Sequence, residues 1–332
     1  MASDPPKDDI PLLVARPQLM LQDTLHAEIE RAADYARASR SAATRRAYET
    51  DWRIFIAWCD ARGIESLPAR PVAVATFLST EADSGIKPGT VRRRLAAIGY
   101  FHRQAGFDPP QKQAGAGAIQ DVVAGITREN GARPTRKQPA DADALREMLR
   151  TITTDDLRAA RDRAVLAIGM AAALRRSELV ALAVDDVELL PEGLRLLIGR
   201  SKTDQAGEGY VVAIPEGRRI RPKALLLAWI EAAGHKGGPL FRRLTRGGAL
   251  TGDRMSDRAV ARLVQRCAAE AGFDPTQFAG HSLRSGFLTE AARQGASIFK
   301  MRDVSRHKSV QVLSDYVRDF EMFRDHAGEK FL

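Results

Sequence analysis

The sequence predicts a mainly α-helical chain of two domains, with a small β-sheet in the second. Three observations predict it. At 332 residues the chain is long for one core. Apolar residues recur at three- and four-residue spacing along most of it. The period changes between Leu194 and Ile214, where two β-prone runs flank a polar, Gly-containing loop.

The elements follow in chain order. Residues 1–18 are rich in Pro and Asp and read as a disordered tail. From about 20 to 38, Leu21, Leu25, Ile29, Ala32 and Ala36 fall at helical spacing. Tyr48, Trp52, Phe55 and Cys59 form the stripe of the next helix, and Gly63 punctuates its end. A short helix follows with Pro71 in its first turn. Val91, Leu95, Ile98 and His102 stripe another, and Arg92, Arg93, Arg94 and Arg103 crowd its remaining surface. Those arginines read equally as a solvated face or as contacts to phosphate. Residues 19–130 thus form a helical domain. Residues 131–139 are basic, contain proline and lack apolar periodicity, as a linker would. Arg136 and Lys137 in it could lie along a nucleic-acid backbone. In the second domain, 140–332, the segment from Leu157 to Leu174 is apolar nearly all round and should be deeply buried. The hairpin comes next, and helices are expected at about 220–233, 254–271, 282–294 and 309–324.

Charge narrows the class of partner. Lys and Arg number 51 against 42 Asp and Glu, a formal charge of +9. A basic body behind an acidic tail fits a polyanion, most simply nucleic acid, although other basic globular proteins exist. Cys59 and Cys267 lie far apart with no CxxC pair, so neither a disulfide framework nor a zinc ribbon is visible. The N-terminus carries acids where a signal peptide needs bases, and no apolar run approaches the ~20 residues of a membrane span. A soluble, cytoplasmic protein is expected, associated with the nucleoid when bound.

Four constellations stand out, each with an ordinary structural reading when taken alone. Arg175 and Glu178 in "LRRSEL" follow the apolar helix, and partly buried charges there need partners. Lys202 sits in the hairpin loop, where lysines are usually solvated. His281 and Arg284 in "GHSLRSG" are three apart at a helix start, where an anion is favoured. Arg can clamp two phosphate oxygens and His can move a proton, but a capping histidine would look the same. His307 precedes Tyr316 by nine residues.

Their order (Arg–x–x–Glu, hairpin Lys, His–x–x–Arg, His, Tyr) resembles the catalytic set of the tyrosine recombinases, the integrase family of phage integrase, Xer and Cre-like enzymes. The resemblance is strong over residues 140–332. Over 20–130 it extends only to the length and helix pattern of that family's core-binding domain. Two departures are visible. Arg306 stands where the family's Leu-Gly-His motif has glycine, and Ala173 where glycine is common.

The resemblance implies a two-domain C-shaped clamp around duplex DNA, with four protomers assembled on two sites. It implies attack by the Tyr316 hydroxyl on a backbone phosphorus, giving a 3′-phosphotyrosyl bond and a free 5′-hydroxyl. Arg175 and Arg284 would hold the non-bridging oxygens, and His307 would donate to one of them. Lys202 would protonate the leaving oxygen, and His281 would move a proton at the tyrosine. Glu178 would orient its neighbours. No cofactor is expected: guanidinium charge can replace a metal ion, and the phosphotyrosine bond retains the energy that ATP would otherwise supply. Phe320, Phe323, Phe331 and Leu332 offer apolar anchors for a tail that packs in cis or docks on a neighbouring protomer. Alternatives on the same chemistry or fold are DNA relaxation of the type IB topoisomerase kind and a non-catalytic DNA-binding regulator.

Overall fold

A computed structural model of the chain describes residues 23–131, 137–199 and 209–321. The tail expected over 1–18, Leu21, Arg136 and Lys202 lie outside the described residues, as do Phe323, Phe331, Leu332 and the side chain of Phe320. Contacts divide the chain into two compact units, residues 1–134 and 135–332.

The first unit is helical: α1 (Asp23–Ala38), α2 (Ala42–Asp60), α3 (Pro71–Asp83), α4 (Pro88–Gln104) and α5 (Gly117–Asn130). Ser41 caps α2 by accepting from the Thr44 N–H. Prolines at the first turns of α3 and α4 cost no hydrogen bond. Phe55, Cys59, Phe77, Leu78, Val91, Ile98 and Ile119 form the core. His102 belongs to this packing. Its Nε2 accepts from the Ala69 N–H at 2.8 Å and its Nδ1 lies 2.8 Å from the Ile98 carbonyl, which fixes the tautomer with the proton on Nδ1.

The helix expected at about 20–38 is α1, with Leu25, Ala32 and Ala36 exposed along it. One expectation is corrected in this unit. Arg94 is not on the surface with its neighbours but buried. It falls three residues after Val91 and four before Ile98, so it shares the apolar face. There it meets Glu81 and lies 3.7 Å from Asp51, itself 1% exposed. Arg93 closes a two-pronged pair on Asp51 at 2.8 and 3.0 Å. Arg92 donates to the Thr127 hydroxyl, and Arg103 is exposed.

The second unit begins with α6 (Ala142–Arg150), α7 (Leu157–Ala171) and α8 (Arg176–Ala181). An antiparallel sheet of β1 (Val187–Leu190), β2 (Gly193–Ile198) and β3 (Tyr210–Pro215) follows. Then come α9 (Pro222–Ala232), a hairpin of β4 (Arg242–Leu244) and β5 (Leu250–Arg254), α10 (Asp257–Glu270), α11 (Ser282–Arg293), α12 (Ile298–Ser305) and α13 (Val310–Glu321). The central helix α7 buries Ala164, Val165, Leu166, Ala167 and Ile168 in succession, so it is covered on all sides. Leu194 faces Ile214 and Leu196 faces Val212 across the sheet; these four point inward, while Arg195, Leu197, Val211 and Ala213 point out.

The entry into this unit is not a free linker throughout. The Gln138 N–H donates to the Gln277 carbonyl at 2.7 Å and the Ala140 N–H to Ser282 at 2.9 Å. Lys137 donates its ammonium to the Thr276 carbonyl. Gly286 makes this possible, since a Cβ there would collide with the Ala140 backbone. Elements beyond the sequence reading are α5, β1, the β4–β5 hairpin and α12. No helix among the described residues is long and apolar enough to cross a membrane.

Candidate active site

The site forms where the C-terminal ends of α7 and α12 meet the starts of α8 and α11. Helix α7 stops in a Schellman turn: the Ala173 N–H returns to Met170 at 2.8 Å and the Leu174 N–H to Gly169 at 3.0 Å. This turn needs a left-handed residue, and Ala173 adopts it at φ 47°. Alanine there costs about 1 kcal/mol relative to glycine. Buried Leu174 then leads to Arg175, the residue before α8, in extended conformation.

Glu178 lies one turn into α8 and is 5% exposed. Its Oε2 accepts the Arg175 backbone N–H at 2.9 Å, and its Oε1 accepts the Arg175 guanidinium at 2.5 Å. Burial would raise this carboxyl, but the Arg175 N–H and the guanidiniums of Arg306 and Arg175 outweigh it and hold it below the ordinary range.

Arg284 enters from the first turn of α11 and is completely buried. Its Nη1 donates to the Ala173 carbonyl at 2.6 Å, so a carbonyl freed by the end of α7 finds a cation. Its Nη2 lies 3.2 Å from Nδ1 and 3.3 Å from Nε2 of His307. Burial, then the neighbouring Arg175, lower this guanidinium to about 9, which still leaves it charged at neutral pH. His281 sits at the start of α11 with its outer side exposed. Desolvation on the inner side, then Arg284, Arg175 and Arg176, hold its imidazole below the ordinary value. Gly280 before it lets the backbone pass Arg176, whose side chain a Cβ would strike.

The α12–α13 turn supplies the rest. Ser305 is buried, and its Oγ lies 2.8 Å from Nδ1 of His307. Arg306 is left-handed at φ 56° and ψ 38°, and its Nη2 donates to Oε2 of Glu178 at 2.8 Å. Burial, then Arg284, push His307 down to about 4, so its imidazole is neutral at pH 7. Tyr316 is half-buried on α13, packed with Val317 against Leu288, Ala292, Met301 and Leu313. Its phenol is near enough to bear on the charge of Arg284.

Arg175, Glu178, His281, Arg284, His307 and Tyr316, spread over 142 positions of sequence, therefore converge. Sequence reasoning missed Ser305, which nothing but its place beside the histidine could have marked. It saw Arg306 only as a departure and gave it no partner. Arg175 and Arg306 share the carboxylate of Glu178, and Arg284 feels its charge without bonding it. Such an excess of fixed positive charge, with two imidazoles held below their ordinary values beside it, suits a phosphate ester and the charge it gains during transfer.

Comparison with known proteins gives the family. A model described as the phage integrase family matches residues 140–322, and one described as the phage integrase N-terminal SAM-like domain matches 35–106. An integrase/recombinase XerD homolog from Selenomonas ruminantium is 34% identical over 87% of this chain and 85% of its own length. Recombinase Cre of Escherichia phage P1 is 26% identical over 81% and 82%. Among solved structures, the Tn1549 transposon integrase in complex with transposon right end DNA superposes with a TM-score of 0.60 at 15% identity, covering 90% of this chain and 97% of that one. A lambda integrase dimer bound to a COC′ core site gives 0.57 at 19% identity, with 89% and 95% covered. These two likenesses establish the fold. With one family model spanning over half its length and a relative above 30% identity along most of it, the chain belongs to the phage integrase family, the site-specific tyrosine recombinases.

Proposed function

We propose that the protein cuts and rejoins duplex DNA through a 3′-phosphotyrosyl bond to Tyr316, exchanging strands between two sites without metal or ATP. The observation that carries this reading is the convergence of Arg175, Arg284 and His307 beside Tyr316. The Tyr316 oxygen forms a bond to phosphorus as the bond to the 5′-oxygen breaks. A free phenol holds its proton up to pH ~10, so it needs proton removal or strong stabilisation of the developing charge. His281, held below its ordinary value by burial and then by Arg284 and Arg175, is the group to take that proton. Arg175 and Arg284 hold the non-bridging oxygens, and His307 donates to one of them from Nε2, with Nδ1 accepting from the Ser305 hydroxyl. Lys202 delivers a proton to the departing 5′-oxygen; it lies outside the described residues. Glu178 orients Arg175 from behind. Rejoining reverses these steps with a 5′-hydroxyl from the partner strand.

The substrate is a double-stranded recombination site bound by several protomers. The lambda integrase dimer on its core site and the Tn1549 integrase on transposon DNA support this part of the reading. DNA flanking the gene is the place to seek the site as an inverted repeat. On a nicked suicide substrate built from it, in EDTA, the protein forms a covalent adduct. Tyr316→Phe binds the same DNA and forms none. Covalent attachment of the Phe variant overturns the nucleophile assignment, and loss of attachment in EDTA overturns the metal-free mechanism.

A further inference from the structure

Arg306 is costly to place. Its backbone lies in the left-handed region that suits glycine, and its guanidinium is taken almost wholly out of water, with the residue 9% exposed. Burial holds its charge below the ordinary value even with Glu178 beside it. A residue that serves only to end α12 would need neither cost, because glycine ends helices without them.

The side chain spans the site from behind. Nη2 donates to Oε2 of Glu178 at 2.8 Å. Nη1 donates to the Val304 carbonyl at 2.6 Å and lies 3.4 Å from the Ala172 carbonyl, at the end of α7. Glu178 is thereby held at both oxygens, Oε1 by Arg175 and Oε2 by Arg306. The residues flanking Arg306 are Ser305 and His307, themselves joined across 2.8 Å. One guanidinium thus bridges the element that carries Arg175 and the turn that carries His307.

We infer that Arg306 is a positioning residue, which locks the Glu178 carboxylate, and through it Arg175, in register with the His307 turn. This deepens the proposed phosphoryl-transfer reading and rests on it. Arg306 does not touch the phosphate. It fixes the spacing of two groups that must grip the same phosphate at once, where a small misplacement costs rate rather than binding.

The test is single-turnover cleavage of the suicide substrate at saturating DNA, with DNA affinity measured in parallel. Arg306→Gly eases the backbone and removes the bridge. It is expected to slow adduct formation roughly tenfold or more while the Kd for DNA stays within about threefold. Arg306→Lys keeps one donor of the fork and recovers part of the rate, and it carries the comparison if the glycine variant does not fold. Glu178→Gln is expected to cost much less in the Arg306→Gly background than in the parent, because both act through one linkage. Cleavage by Arg306→Gly within about twofold of the parent, or a rate loss matched by lost affinity, overturns the inference. So does a double variant whose losses simply multiply. Tyr316→Phe run alongside separates the two levels. If the parent protein makes no adduct, or the Phe variant makes one, the catalytic reading fails and this inference with it. If the parent is active, Phe is inactive and Gly equals the parent, only the role of Arg306 fails.

Discussion

The two units both bury arginines, and the arginines do different work. In the first, Arg93 and Arg94 meet Asp51 and Glu81, so two cations face two anions. In the second, Arg175, Arg284 and Arg306 are arranged around one carboxylate. The first cluster is electrically complete and joins α2, α3 and α4. The second keeps surplus positive charge in a largely buried setting, where it is worth most to an anion. The lesson is that a run of arginines in a sequence says little. What distinguishes a binding site from a brace is the balance of charge after the neighbours have been counted.

Three experiments can break or sharpen this contrast. Replacement of Arg284 by Gln gives the largest effect: adduct formation should fall ~10²–10³-fold, as on losing one donor to the transferring group. If Arg93→Gln on the suicide substrate slows chemistry as much, the contrast is wrong. Next comes Asp51→Ala, which leaves buried Arg94 with Glu81 alone. The expected cost is about 3 kcal/mol of stability, the low end for a buried pair because Glu81 remains, read by thermal or urea unfolding. A variant as stable as the parent would show that the pair is not structural.

The smallest effect is on pH dependence. In the unfolded chain, His307 takes a proton near pH ~6.5, whereas in the native site it does so only at about 4. Between these values the unfolded chain holds the extra proton. Stability therefore rises with pH through the window and falls as pH drops from ~6.5 toward 4. His102, also held low, contributes in the same direction from burial alone, whereas His307 feels neighbouring guanidiniums in addition to burial. Salt screens charges and leaves burial unchanged. Titration of the two rings by NMR should show His307 moving upward in high salt while His102 stays. Equal movement would remove the distinction between the two environments.

Much of this was legible in the sequence, for reasons that can be named. The stripe Val91–Ile98–His102 is strong because one helix face packs on a large core. Leu194, Leu196, Val212 and Ile214 alternate because one face of the sheet is buried. The β4–β5 hairpin is a short, arginine-rich ribbon with little apolar alternation to detect. Helix α12 is eight residues long, too short for a period to establish itself. Arg94 could have been placed correctly. It lies on the stripe of Val91 and Ile98, as Asp51 lies on that of Tyr48 and Phe55, and opposite charges on two apolar stripes predict a buried pair. In the candidate site the order of residues carried the resemblance. The backbone demands at Ala173 and Arg306 showed only as missing glycines, because a left-handed turn leaves no other trace in a sequence.

The packing under Tyr316 has a mechanical consequence. Helix α13 does not sit on the broad core around α7. Its Leu313, Tyr316 and Val317 pack with Leu288 and Ala292 of α11 and Met301 of α12 in a small cluster. Among the described residues, the apolar groups that hold α13 are few beside those gathered around α7. The helix that carries the tyrosine is therefore held by less described apolar packing than the helices that carry the arginines, which places it toward the less stable end of the unit.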